Sequence, residues 1–144
     1  MMEDWIMIVL PTSQSIAIID ALKAVGNLLD DCVVHLFVNN IAVTASTELA
    51  DFTEATWNGY AASSAVVWGE TYTDSNGDAI TIGDTKQFHA ADPVVAETNY
   101  GYYITDTAGT ELKFAENFAT PIPIVDEDDA VIMTPVFKGA TLDS

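Results

Sequence analysis

Two histidines, His35 and His89, and one cysteine, Cys32, are the whole stock of imidazole and thiol in this 144-residue sequence. With so few, the usual pairings of nucleophile and base are hard to assemble. The sequence has no G-x-S-x-G elbow, no phosphate-binding loop, no dinucleotide glycine fingerprint, and no cysteine or histidine pair at zinc spacing. These absences argue against an enzyme and against a bound cofactor. His35 lies within an apolar run, where a lone histidine is expected to be a hydrogen-bonded core residue rather than a base or a ligand. Carboxylates are the abundant chemistry. Asp74, Asn76 and Asp78 alternate oxygen ligands around Gly77, which resembles the start of a calcium loop but lacks the distant bidentate glutamate that completes one. Asp126, Glu127, Asp128 and Asp129 form a second cluster, in which bound cation would relieve repulsion. A solvated turn is the expected role of both clusters, because Asp and Asn are ordinary turn formers.

The 22 acids face only four lysines and no arginine, for a formal net charge of -18. Such a surface repels phosphate backbones and anionic lipids, and it lacks the guanidinium forks that clamp phosphates, so neither nucleic acid nor membrane is an expected partner. The chain is also 49% hydrophobic and only 18% charged, unlike a disordered acidic tail. A folded body with an acidic face and apolar surface covered by other subunits is expected. Cys32 cannot form an intrachain disulfide. The start, Met1 to Pro11, carries acids where a signal peptide needs a basic region, and its apolar run is too short to span a bilayer. Production in the cytoplasm, followed by residence there or packing into a particle, is the expectation.

The elements that would position these residues read as one domain over 1–144. Residues 1–11 form an extended arm or edge strand closed by Pro11. An amphipathic helix is expected over 13–29, with Ile18, Leu22, Val25 and Leu29 on one face. A β-rich body follows over 31–138. Its first strand alternates Cys32, Val34, Leu36 and Val38 against Val33, His35 and Phe37, and with both faces apolar it should be central. Leu49 to Tyr60 reads as a corner, with a turn of helix near Thr47 to Phe52. Trp57 and Tyr60 suit sites that are mostly buried but open to a hydrogen bond, and Gly59 lets the backbone turn between them. Asp74 to Asp78 should close a hairpin between Ser64–Thr73 and Ala79–Ile82, followed by a short run at Phe88 to Ala90. Thr98–Thr105 and Glu111–Phe118 should form a second hairpin. Pro121 to Val125 reads as an extended edge, Asp126 to Asp129 as a turn and Ala130–Phe137 as the last strand. The expected fold is mainly β, a small β-sandwich or partly open barrel with one N-terminal helix.

The phrase Val34-His35-Leu36-Phe37-Val38-Asn39-Asn40, then Leu49 to Ala55 and Gly59-Tyr60-Ala61, resembles small virion structural proteins of tailed bacteriophages. Tyr100 to Asp106 and Val131 to Phe137 resemble the same group. The resemblance implies a non-enzymatic capsid decoration or cement protein on the virion's outer head surface, which bridges neighbouring major capsid subunits. It also implies self-association, with a trimer favoured. Trp5, Ile6 and Ile8, together with Ile122, Ile124 and Val125 of the Pro121 edge, are the expected intermolecular contacts, since apolar and aromatic anchors dominate association. Two alternatives remain at this stage. One is a tail, neck or fibre-associated virion protein. The other is a carbohydrate-binding β-sandwich whose stacking platform is Trp57, Trp68, Tyr100 and Tyr102.

Overall fold

Proline placement, the turn glycines and apolar alternation decide where strands begin and end in this chain. The structure is a computed structural model that describes residues 12–24, 28–63 and 65–139. The expected arm over 1–11, with Trp5, Ile6 and Ile8, lies outside the described residues. Helix α1 covers Thr12–Leu22, and eight strands follow: β1 Val33–Phe37, β2 Trp68–Thr73, β3 Ala79–Gly83, β4 Lys86–His89, β5 Glu97–Thr105, β6 Leu112–Ile124, β7 Ala130–Met133 and β8 Val136–Gly139. The described residues are mainly β, with three small antiparallel sheets ordered β1-β5-β6, β2-β3-β8 and β4-β7. They group into two compact units, one holding α1, β2, β3 and β8 and the other holding the remaining strands.

In the first unit α1 packs on β2-β3-β8. The helix is shorter than the expected 13–29. The Leu22 carbonyl, which a continuing helix would give to the residue four positions on, instead accepts from Leu29 N–H at 2.8 Å. Leu29 is fully buried in that turn, and Ile19 is buried whereas Ile18 and Leu22 of the expected face are half-buried; Val25 lies outside the described residues. Asp20 and Lys23 tie the helix to β2: Thr71 Oγ1 donates to Asp20 Oδ1 at 2.5 Å, and Lys23 Nζ donates to the Gly69 carbonyl at 2.7 Å. The Thr71 hydrogen bond holds the Asp20 carboxyl below the ordinary carboxylate range. The β2–β3 hairpin forms at the expected turn, where Gly77 has φ +86° and Asp74 N–H donates to the Asp78 carbonyl at 2.8 Å.

In the second unit β5 is central, and residues 101–105 are buried on both faces. The expectation that β1 would be central is corrected: β1 is the edge strand of its sheet. Its second edge is covered by the corner loop instead of a strand. Val38 N–H donates to Thr53 O, while Leu36 O, Val34 O and Cys32 O accept from the N–H groups of Ala55, Ser63 and Val66. Loop backbone therefore satisfies the polar groups that an open edge would expose. Two further boundaries differ. Pro121 to Ile124 is not a separate edge but the end of β6, a 13-residue strand, and its prolines are tolerated because β6 lies at the sheet edge. The expected last strand is broken at Thr134-Pro135 into β7 and β8, which join different sheets. Proline has no N–H to give a ladder, and it disfavours continuation through the residue before it.

Candidate functional site

A cluster of titratable side chains is built by the corner between β1 and β2 together with β1 and β5. The corner starts with a 3-10 turn over Leu49–Asp51, where Asp51 Oδ2 accepts from Glu48 N–H at 2.8 Å. It ends at Gly59, whose φ is +94°. A Cβ at Gly59 would overlap the His89 carbonyl oxygen, so the chain can pass this close to β4 only with glycine. Trp57 is 1% exposed, and its Nε1–H donates to Asn99 Oδ1 at 3.0 Å. Asn99 on β5 is itself fully buried and donates to the Ile122 carbonyl at 3.0 Å. This pair links the corner through β5 to β6, with each buried polar group satisfied.

Glu54 is the hub. Its Oε2 accepts from the Tyr60 hydroxyl at 2.6 Å and lies 2.7 Å from His35 Nδ1, and Tyr103 hydrogen-bonds it as well. The Tyr60 oxygen also accepts from Leu36 N–H at 3.1 Å. On its other side, His35 Nε2 lies 2.8 Å from Thr105 Oγ1. Tyr103 is sandwiched between the His35 and Phe52 rings, at centroid distances of 4.7 and 4.5 Å and interplanar angles of 8° and 9°. These contacts bring together residues up to 70 positions apart, and they lock β1, β5 and the corner into one arrangement.

A carboxylate, an imidazole and a hydroxyl in line resemble the relay that activates a nucleophile, but the details oppose that role. Thr105 is fully buried, and its hydroxyl donates to the Asp106 carbonyl at 2.8 Å. Each ring nitrogen of His35 is held by one partner, Nδ1 by Glu54 Oε2 at 2.7 Å and Nε2 by Thr105 Oγ1 at 2.8 Å, with the donor at each contact set by the tautomer. No substrate atom can approach the Thr105 oxygen. The cluster spends its donors and acceptors on each other. Glu54→Gln keeps an acceptor but loses the charge, and because the carboxylate is 40% exposed the expected cost is about 1 kcal/mol, less than a fully buried charged hydrogen bond would give. The shift of the urea unfolding midpoint checks this.

Burial, and next the hydrogen bond to Glu54, raise the Tyr60 phenol well above its ordinary value. Burial, and next the Glu54 charge, do the same for Tyr103. The fold thus holds both phenols neutral, and their contribution is fully present below the ordinary tyrosine value and is lost as pH rises through the raised folded values. Stability is therefore expected to begin falling near the ordinary value of 10.0, which unfolding at a series of alkaline pH values would show.

The residues singled out from sequence are distributed as follows. Asp74 Oδ1 accepts from Asn76 N–H and Asp78 N–H, both at 2.9 Å. Lys138 Nζ lies 3.3 Å from Asp74 Oδ2 and 2.9 Å from Asp78 Oδ2, so an ammonium group of β8 already stands where the weak calcium reading would put a cation. Backbone hydrogen bonds, the one from Asp78 N–H foremost, lower the Asp74 carboxyl, and the same two carboxylates raise Lys138. The clamp is complete above the ordinary aspartate value and below the ordinary lysine value. It weakens as pH falls through the lowered Asp74 value or rises through the raised Lys138 value. In the second acidic cluster, Asp129 Oδ2 accepts from the N–H groups of Val125 and Asp126, an internally bonded turn. Among the described residues no three His, Cys, Asp or Glu side chains form a metal-holding group, and no helix is long and apolar enough to cross a membrane.

Of the expected contact residues that are described, Ile122 is half-buried and Val125 is 66% exposed, but Ile124 is fully buried. Ile124 is corrected from a contact residue to a core residue, because strand alternation at the end of β6 turns it inward. The stacking platform is also not assembled: Trp57 and Tyr102 are buried, and the Trp68 indole donates to the Leu29 carbonyl at 2.9 Å. Sequence reading missed Glu54, Asn99 and Thr105. Glu54 sits within the corner phrase, whereas nothing local to Asn99 or Thr105 signals partners 42 and 70 positions away. No protein family, no curated protein and no solved structure matches the chain.

Proposed function

We propose that the chain is a non-enzymatic structural protein of a tailed-phage virion, a capsid decoration protein that self-associates and bridges neighbouring major capsid subunits. The observation that supports it is a set of large apolar side chains left at the surface of a very acidic chain: Val67, Tyr72, Val95, Val125 and Ile132. Isolated exposed apolar residues are common, but five large ones on a chain of this charge favour docking against other subunits. The described imidazoles are hydrogen-bonded within the fold, as befits a chain that covers surfaces and makes no covalent bond. In this reading the β-rich body is a small β-sandwich or partly open barrel, and Trp5, Ile6 and Ile8 belong to an arm that reaches a neighbouring subunit. Deleting residues 1–10 is then expected to leave a folded body by circular dichroism that no longer co-sediments with phage heads. A deletion variant that binds heads as well as the full chain would refute the arm, and a full chain that ignores heads would refute the function.

A further inference from the structure

We propose that Asn76 is a site of spontaneous covalent modification: its side-chain amide is lost through attack by the Gly77 nitrogen, which rewrites the β2–β3 turn as an aspartyl or isoaspartyl linkage. The sequence holds two Asn-Gly pairs, Asn58-Gly59 and Asn76-Gly77. Asparagine is among the thermolabile residues, and a following glycine has no Cβ to shield the nitrogen that attacks its amide carbon. The fold treats the two pairs in opposite ways.

Asn58 is held at every point the reaction must move. Its Nδ2 donates to the Ala91 carbonyl at 3.3 Å and to the Asp92 carbonyl at 2.9 Å, so two acceptors retain the nitrogen that would leave. Its own carbonyl accepts from Ala91 N–H at 2.9 Å, and Gly59 lies so close to β4 that a Cβ there would overlap the His89 carbonyl. Asn76, by contrast, is exposed at the hairpin tip, and among the described residues no hydrogen bond holds its side-chain amide. A Cβ at Gly77 would meet nothing within 4 Å, so a ring has room to close. One bond of the turn opposes the step, from Gly77 N–H to the Asp74 carbonyl at 3.1 Å, and it lies at an exposed tip, where local opening costs least.

The reaction needs only the chain and water. The Gly77 nitrogen gives up its proton and bonds to Asn76 Cγ, the Cγ–Nδ2 bond breaks, and Nδ2 leaves with that proton as ammonia, which gives a cyclic imide. Water then opens one imide carbonyl. Opening at Cγ gives aspartate, and opening at the main-chain carbon gives isoaspartate, whose chain runs through the former side chain. Either product sets a third carboxylate in a turn where Asp74 and Asp78 already share the Lys138 ammonium. Isoaspartate also lengthens the backbone between Asp74 and Gly77, so Gly77 N–H no longer closes the same turn. The hairpin therefore loosens as the chain ages.

Incubating the full chain at mildly alkaline pH for several days tests this, with tandem mass spectrometry to assign each conversion of amide to acid and an isoaspartyl-specific methyltransferase to detect the rearranged linkage. Conversion with isoaspartate is expected at Asn76, severalfold faster than at Asn58 in the folded chain, and the two rates are expected to converge in urea. Gly77→Ala is expected to slow conversion severalfold while keeping the circular dichroism, since its Cβ shields the nitrogen and meets open space. Asn76→Asp carries the charge without the rearranged backbone, and hydrogen exchange in β2 and β3 is expected to be faster in the aged chain than in this variant. Equal rates at Asn58 and Asn76 in the folded chain, or an Asn76 that stays intact there, would overturn the proposal, and exchange no faster than in Asn76→Asp would overturn the loosening. The chemistry requires no virion, so its failure leaves the docking reading untouched.

Discussion

Replacing Trp57 with alanine is expected to destabilise the protein by about 3–5 kcal/mol, the range for truncating a buried large aromatic. The indole is 1% exposed, its ring centroid lies 5.5 Å from that of Tyr60, and among the described residues its N–H is the donor to Asn99 Oδ1. Alanine therefore opens a cavity and strands a buried acceptor in one change. Trp57→Phe separates the two effects: it retains most of the packing and removes the N–H, with an expected cost of about 1–3 kcal/mol for the unpaired Asn99 oxygen. Urea denaturation of both variants measures the difference. A Trp57→Ala variant within about 1 kcal/mol of the parent would show that the corner is not organised around this side chain.

Gly59→Ala is expected to be nearly as damaging, although it adds a single methyl. The left-handed φ of +94° disfavours any side chain by about 1–2 kcal/mol. The new Cβ would also lie 2.9 Å from Ala91 N and overlap the His89 carbonyl, and backbone atoms cannot swing aside as a side-chain tip can. Together these predict a loss of about 3 kcal/mol or more, seen as a lowered unfolding midpoint. Gly77→Ala is the control: it has φ +86° but open space around it, so only the backbone cost should appear. Similar losses at both positions would mean that the close approach of the corner to β4 does not constrain the fold.

Comparison of residue patterns with the folded chain shows which information is local. Alternation, Gly77 and the Asp/Asn turn located the first hairpin, and Trp57, Gly59 and Tyr60 located the corner, because each depends on neighbours a few residues away. The helix end was not legible, since it depends on Leu29 returning to the Leu22 carbonyl. Nor was the position of β1, whose apolar faces read as central although loop backbone, not a strand, covers its free edge. The division of 130–137 between two sheets follows from Thr134-Pro135, a break that the strongly apolar run around it masks in the sequence pattern. Of the candidate cluster, His35 was recognisable as a hydrogen-bonded residue, but its partners Glu54 and Thr105 are brought to it by tertiary pairing alone.

The central proposal is that this chain lodges on the surface of a phage head. Electron cryomicroscopy of virions from a tailed phage encoding it tests that most directly. The account predicts density for the β-rich body in many copies over the outer shell, each touching more than one capsid subunit. Density at a single vertex or on the tail, or virions that lack the chain altogether, would contradict it.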